Sequence, residues 1–190
     1  MSLKSTILSL LPTALLLTSS TTAAPLAPRA GCPGATTSFS FDVKNFDYHD
    51  GTTFSTPAHQ IPGGFVAFNL TSAADVVPRQ CNAYSTQLSD FYYGTLNYTC
   101  TTTTADGEVV QTGSLFTYDT PGETLVLVEP FECDGQKYVA KGTYTFEPPL
   151  QCVTEEYQND DWQQGEIYSS RKRTCEERDF AFFAEVEKVE

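Results

Sequence analysis

The sequence predicts an all-β fold, an antiparallel β-barrel or sandwich stabilised by disulfides. Three observations predict it. Apolar and polar residues alternate through most of the chain, in short runs bounded by Gly, Pro, Asn and Asp. No run carries the three-to-four spacing of an amphipathic helix, and there is no internal repeat or heptad. Six cysteines follow an N-terminal segment with the order of a secretory signal.

That segment has one lysine, Lys4, then the apolar run Ile7 to Leu17, then small residues to Ala24. The run is shorter than the ~20 apolar residues a membrane-spanning helix needs. Residues 1–23 read as a signal peptide cleaved before Ala24. Residues 24–31, rich in Pro and Ala, read as a flexible lead-in, and 32–190 as a single β-barrel domain. A chain of this size buries ~70% of its unfolded surface. The expected location is secreted, extracellular.

The strands follow in order. Phe39, Phe41 and Val43 share one face. The phase slips at Lys44-Asn45, and Phe46 and Tyr48 continue the apolar set, as a bulge or sharp bend would arrange. His49-Asp50-Gly51 and Ile61-Pro62-Gly63-Gly64 read as turns. Val66, Phe68 and Leu70 point inward on the next strand. Cys81 opens a segment read as a loop from Asn82 to Ser89. A strand from Tyr92 to Cys100 follows, with Tyr92, Gly94, Leu96, Tyr98 and Cys100 on its inner face. Thr101 to Ala105 reads as a polar link before the Asp106-Gly107 turn. Ser114–Tyr118 and Thr124–Val128 flank the turn Asp119–Gly122, and TLVLV is expected to be the most buried strand. Asp134-Gly135 turns the chain into a strand whose inner face carries Tyr138, Ala140, Gly142, Tyr144 and Phe146. Pro148-Pro149 ends it. Thr154 onward is acidic and amide-rich, Glu166 to Cys175 is a strand, and Phe180, Phe182, Ala184 and Val186 alternate in a last one.

Two sequons, Asn69-Leu70-Thr71 and Asn97-Tyr98-Thr99, place Asn69 and Asn97 on polar faces as glycan acceptors. The even cysteine count reads as three disulfides among Cys32, Cys81, Cys100, Cys133, Cys152 and Cys175, with 15 pairings open to spacing alone. There is no CxxC and there are two histidines, so a zinc site is not expected. A net charge of -13 argues against nucleic acid and anionic membranes as partners.

Catalytic candidates are few. His49 and His59 are the histidines available as bases, and no serine sits in a GxSxG elbow. Acid pairs for glycoside hydrolysis cannot be singled out among 24 acids. Asn159-Asp160-Asp161 lacks the glycine and terminal glutamate of an EF-hand loop. Trp162 with Tyr157 and Tyr168 suits either a core position or stacking on a planar ligand or sugar. Arg171-Lys172-Arg173 reads as a solvated strand face. No catalytic residue, metal or cofactor is assigned.

The phrases FDVKNFDYHDGTTFSTPAHQ, GGFVAFNLT and DFYYGTLNYTC together resemble the fungal secreted proteins of the Alternaria major allergen type. The resemblance is clearest from Cys32 to Cys100 and looser to Cys175. It implies a secreted, disulfide-bonded β-barrel of the allergen, elicitor or effector kind, with no enzyme activity established for the class. The partner expected on this reading is a host extracellular protein or a small planar ligand. The alternative is a carbohydrate-binding protein or glycoside hydrolase. The family pattern suggests Cys81 with Cys100 and Cys133 with Cys152. Cys175 departs from it, which leaves Cys175 to capture Cys32 within one chain and puts a covalent dimer in doubt.

Overall fold

The computed structural model describes residues 38–189; the signal peptide, the lead-in and Cys32 lie outside them. Eleven strands form one antiparallel sheet. A meander runs through β1 (Ser40–Thr56), β2 (His59–Ser72), β3 (Arg79–Ser85), β4 (Tyr98–Thr103), β5 (Val109–Asp119), β6 (Thr124–Cys133) and β7 (Gln136–Thr145). The chain then returns to the first strand. The hairpin β8 (Cys152–Gln158) and β9 (Ser169–Cys175) attaches through β9 to the distal half of β1. Strand β10 (Arg178–Phe183) pairs with its proximal half, and β11 (Glu185–Lys188) pairs with β7. The hydrogen-bonded ladder is not closed. Yet β10 and β11 follow one another directly, so one stretch of chain grips both ends of the meander.

Alternation explains the core. Phe41, Val43, Val66, Leu70, Leu125, Leu127 and Ala140 are fully buried on the inner face. The phase slip in β1 is a bulge. Register shifts between Val43 and Phe46 against β10 and between Lys44 and Asp47 against β2, with Asn45 at φ 54°. Phe46 and Tyr48 thereby return to the interior. The Asp134-Gly135 reversal is also where the sequence places it, both residues at positive φ.

Several sequence expectations are overturned. His49-Asp50-Gly51 and Ile61–Gly64 lie inside β1 and β2; the reversal is at Pro57-Ala58. These glycines serve close approach rather than turning. A Cβ on Gly51 would sit 2.9 Å from the Arg171 carbonyl oxygen, and one on Gly64 only 2.7 Å from Phe91 Cβ. Asn82 to Ser85 belongs to β3, and Thr101 to Thr103 to β4. The segment from Tyr92 to Asn97 is a loop, because Ser89, Phe91 and Gly94 adopt positive φ and break the extended run. Tyr92 is buried, but Leu96 is exposed. In β6 only alternate residues are buried, so TLVLV is not covered on both faces.

The cysteine pairing holds at Cys81–Cys100 and is corrected elsewhere. Cys81 is bonded to Cys100, and Cys152 to Cys175. Neither the Cys133–Cys152 bridge nor the Cys32–Cys175 bridge forms. The sequence shows β8 only as an acidic stretch, whereas the β8–β9 hairpin sets Cys152 directly opposite Cys175, Cα atoms 3.9 Å apart. Cys133 is disulfide-bonded too.

Closure by β10 depends on Gly142 of β7. A Cβ there would lie 2.8 Å from Phe182 Cε2 and 3.1 Å from the Phe183 carbonyl oxygen. Gly142→Val is therefore expected to destabilise the fold by about 1–3 kcal/mol. The same change should raise amide exchange in β10 and β11 well above that in β3 to β5. Uniform exchange across the sheet would show that the C-terminal strands are not held by this contact.

Candidate interaction site

Beyond the bulge, the distal half of β1 lies between β2 and β9, and with β8 outside β9 these strands form a four-stranded platform. Period two sets Tyr48, Asp50, Thr52 and Phe54 of β1 on one face. Asp50 pairs with Arg173 and Thr52 with Arg171 across the ladder. Over this face folds the loop that begins after β3. Ser85 Oγ donates to the Phe91 carbonyl at 2.5 Å, and the Tyr92 hydroxyl reaches the carbonyls of Gly64 and Ala83, both at 2.9 Å. Anchored so, the loop holds Ser89 and Phe91 in left-handed backbone, the kind of strain that clusters at functional sites.

Under the loop is a polar recess of about 110 Å³, lined by Asp50, Thr52, Ser89, Asp90, Phe91, Arg171 and Arg173. A second, shallower one of about 250 Å³ lies beside Phe54, Glu156, Tyr157, Gln158, Ser169 and Ser170. Arg171 borders both. Its charge is nearly free: its nearest acid, Glu156, is 4.0 Å away and both side chains are exposed. Arg173 is different. Its Nε donates to Asp50 Oδ2 at 2.7 Å, its Nη2 to the Tyr48 hydroxyl at 2.8 Å, and it lies over the Tyr48 ring. Burial works against the Arg173 charge, but Tyr48 and Asp50 outweigh it and raise its pKa. So the basic triplet is not one solvated face. Arg173 is a fixed strut and Arg171 the presented cation.

Tyr48, Tyr92 and Tyr118 form a buried cluster beneath the platform, with Tyr118 5.4 Å from Tyr48 and 5.8 Å from Tyr92. Burial is the main cause pushing all three phenols well above their ordinary value; the Asp50 hydrogen bond adds to it at Tyr48. The phenols are neutral in the folded state past the pH at which unfolded tyrosines ionise. Their contribution to stability is thus complete below about pH 10 and is lost as pH rises toward the folded values. Absorbance titration at 295 nm should show these three of the ten tyrosines ionising only together with unfolding. Free titration of all ten near pH 10 would contradict their burial.

The remaining sequence candidates are placed as follows. His49 Nδ1 is 3.3 Å from Asp47 and its ring packs at a tilt against Phe65. His59 Nδ1 is 2.8 Å from Ser55 Oγ at the exposed end of the β1–β2 hairpin. The structure gives one histidine a carboxylate and the other a hydroxyl; among the described residues no histidine has both. Asn159 caps a turn, its Oδ1 accepting from the Asp161 amide and its Nδ2 donating to Glu166. Among the described residues no cluster could hold a metal ion. Trp162 is not in the core. It is half-buried in the β8–β9 turn, its Nε1 donating to the Glu166 carbonyl and its ring edge-on to Tyr168. Tyr157 is apart from them, beside Phe54 in the shallow recess. Asn97 is exposed in the loop and Asn69 faces outward on β2. Asp50, Asp90 and Tyr48 were not singled out by the sequence; the spacing of Tyr48, Asp50 and Thr52 on one strand face was the available signal.

A family model described as Alternaria alternata allergen 1 matches residues 43–175, from the start of the β1 bulge to the end of β9. The chain belongs to that family. Loop, platform and both described disulfides all fall within the matched span of the allergen family. Two crystal structures of the Alternaria alternata allergen are similar to it. One is 13% identical, covering 79% of this chain and 94% of that one, with a TM-score of 0.37. The other is 16% identical, covering 83% and 95%, with a TM-score of 0.39. No curated protein matches the chain.

Proposed function

We propose that this allergen-family member is a secreted, non-catalytic interaction protein, effector-like, that binds an extracellular protein of a host plant. The observation that carries this reading is the platform. Its strands present the weakly paired Arg171 and are roofed by a strained, well-anchored loop. The recesses favour a protein over a small planar ligand. The two that Arg171 borders, about 110 and 250 Å³, fall below the ~300–1,000 Å³ typical of sites that engulf a small molecule, and the larger hollows beside Val153 and Glu176 and beside Asn45 and Asn82, about 390 and 320 Å³, lie wide open to solvent and enclose nothing. Presented on an open surface, Arg171 suits the rim or centre of a protein interface, where arginine is enriched.

Export by the signal peptide at 1–23 and glycans on Asn69 and Asn97 belong to the same proposal. A mass loss on glycosidase treatment of the fungal product tests the glycans. The function itself is tested by immobilising the mature protein and passing apoplastic fluid over it. The expected result is near-stoichiometric capture of one host protein, lost with Arg171→Glu. Failure to retain any protein, together with binding on a glycan array or turnover in a hydrolase panel, would move the reading to the carbohydrate-active alternative.

A further inference from the structure

Strand β8 (Cys152–Gln158) ends the sheet. It pairs with β9 on one side, and among the described residues no strand pairs with the other. All seven of its residues are exposed. Its register with β9 runs unbroken from Cys152↔Cys175 to Gln158↔Ser169, and it holds no proline, glycine or lysine. Native edges are usually blunted by charged side chains, lysine above all, by proline or by a bulge. Strand β8 has no lysine, proline or bulge, only the Glu155-Glu156 pair, so its outer side is a regular row of backbone donors and acceptors guarded by negative charge alone. Val153 and Tyr157, 68% and 53% exposed, flank Glu155 on one face, and Glu156 projects from the other.

The geometry points to β8 as a docking edge for an extended segment of a partner protein, one with adjacent basic residues flanked by β-branched or other apolar ones. Backbone pairing would supply affinity and side-chain pairing the choice of segment. Charge complementarity selects the occupant. Strand β9 already displays the complementary pattern, with Lys172 opposite Glu155 and Arg171 opposite Glu156. It leaves the carboxylates largely unspent: the Glu156–Arg171 distance is 4.0 Å, and Arg173 is turned away to Asp50. A second copy of this chain fits poorly. Antiparallel pairing centred on Glu155 sets that carboxylate against its own copy, and a centre between Glu155 and Glu156 sets each against the other. This inference rests on the interaction-protein reading above and names the chemistry of the segment recognised.

The probe is a labelled peptide, TIKRTVT, which in antiparallel register brings its Lys-Arg pair to Glu156 and Glu155 and its Val and Ile to Val153 and Tyr157. Fluorescence anisotropy with the full mature protein should show saturable binding. On the order of tenfold or more should be lost in each of three comparisons. These are the peptide with Glu-Glu for Lys-Arg, the peptide N-methylated at alternate residues, and the Glu155→Lys/Glu156→Lys protein, whose fold is checked by circular dichroism. Three results would overturn the proposal: no saturable binding at millimolar peptide, equal binding of the N-methylated peptide, or self-association of the protein alone that the Glu155→Lys/Glu156→Lys change abolishes. If the peptide fails while the host protein is still captured, the edge proposal falls and the interaction reading stands. If both fail, both fall.

Discussion

Glu129→Ala is expected to destabilise the folded protein by about 3–5 kcal/mol, the range for breaking one partner of a buried ion pair. Glu129 on β6 and Arg79 on β3 are only 4% and 3% exposed, with 2.8 Å between Oε1 and Nη1. Ser72 Oγ donates to the same carboxylate oxygen and accepts from Arg79 Nη2, while Arg79 Nη1 donates to Ser114 Oγ at 2.6 Å. Alanine removes the only charge among the described residues that compensates the buried guanidinium and leaves it two hydroxyls. The intact pair is not itself strongly stabilising: Arg79 Nε and Glu129 Oε2 have no partner among the described residues, so part of its desolvation cost is not recovered. Arg79→Met/Glu129→Leu should therefore recover most of what Glu129→Ala loses. Chemical denaturation of the three proteins checks this. A loss below about 1 kcal/mol in the single variant would mean that water reaches Arg79.

The same two residues show what the sequence made legible and what it did not. Arg79 is in phase with Cys81 and Ala83, and Glu129 with Leu125 and Leu127, so the alternation places both inside. Their charge argues for the surface, and only the fold shows that the two positions meet. Where apolar residues carried the pattern, as from Phe39 through the slip to Tyr48, the strand face and its bulge were readable. Glycine was the main source of error. Gly51, Gly63 and Gly64 look like punctuation but provide room for Arg171, Tyr84 and Phe91, which belong to segments far along the chain. The platform was hidden for a related reason. Strand β8 is an edge with every residue exposed, so it shows no apolar alternation and reads only as an acidic stretch. Missing it meant missing the partner of Cys175. Arg173 looked like one of three solvated bases because its strut, Asp50, stood in a supposed turn.

Phe46→Ala should cost about 3–5 kcal/mol, as deletion of a fully buried phenylalanine does where the site cannot collapse. The Phe46 ring is wholly buried. Its centroid lies 4.8 Å from Phe146, 5.6 Å from Tyr118, 5.8 Å from Phe68 and 5.9 Å from Phe180. These rings come from β2, β5, β10 and the residue after β7, so a void at Phe46 borders four segments and no single one can move to fill it. Phe46→Leu keeps much of the volume and should cost clearly less. The effect should also reach the platform. The bulge at Asn45, whose amide donates to Asp179 Oδ1 at 2.8 Å, turns Phe46 inward at the point where β1 exchanges β10 for β9 as its partner. Phe46 holds that crossing, and two residues on, Tyr48 begins the cluster that carries Asp50 and Arg173. In Phe46→Ala the buried tyrosines should ionise at lower pH than in the parent protein, alongside the lower denaturation midpoint. A lower midpoint with an unchanged tyrosine titration would show instead that the core and the platform are independent.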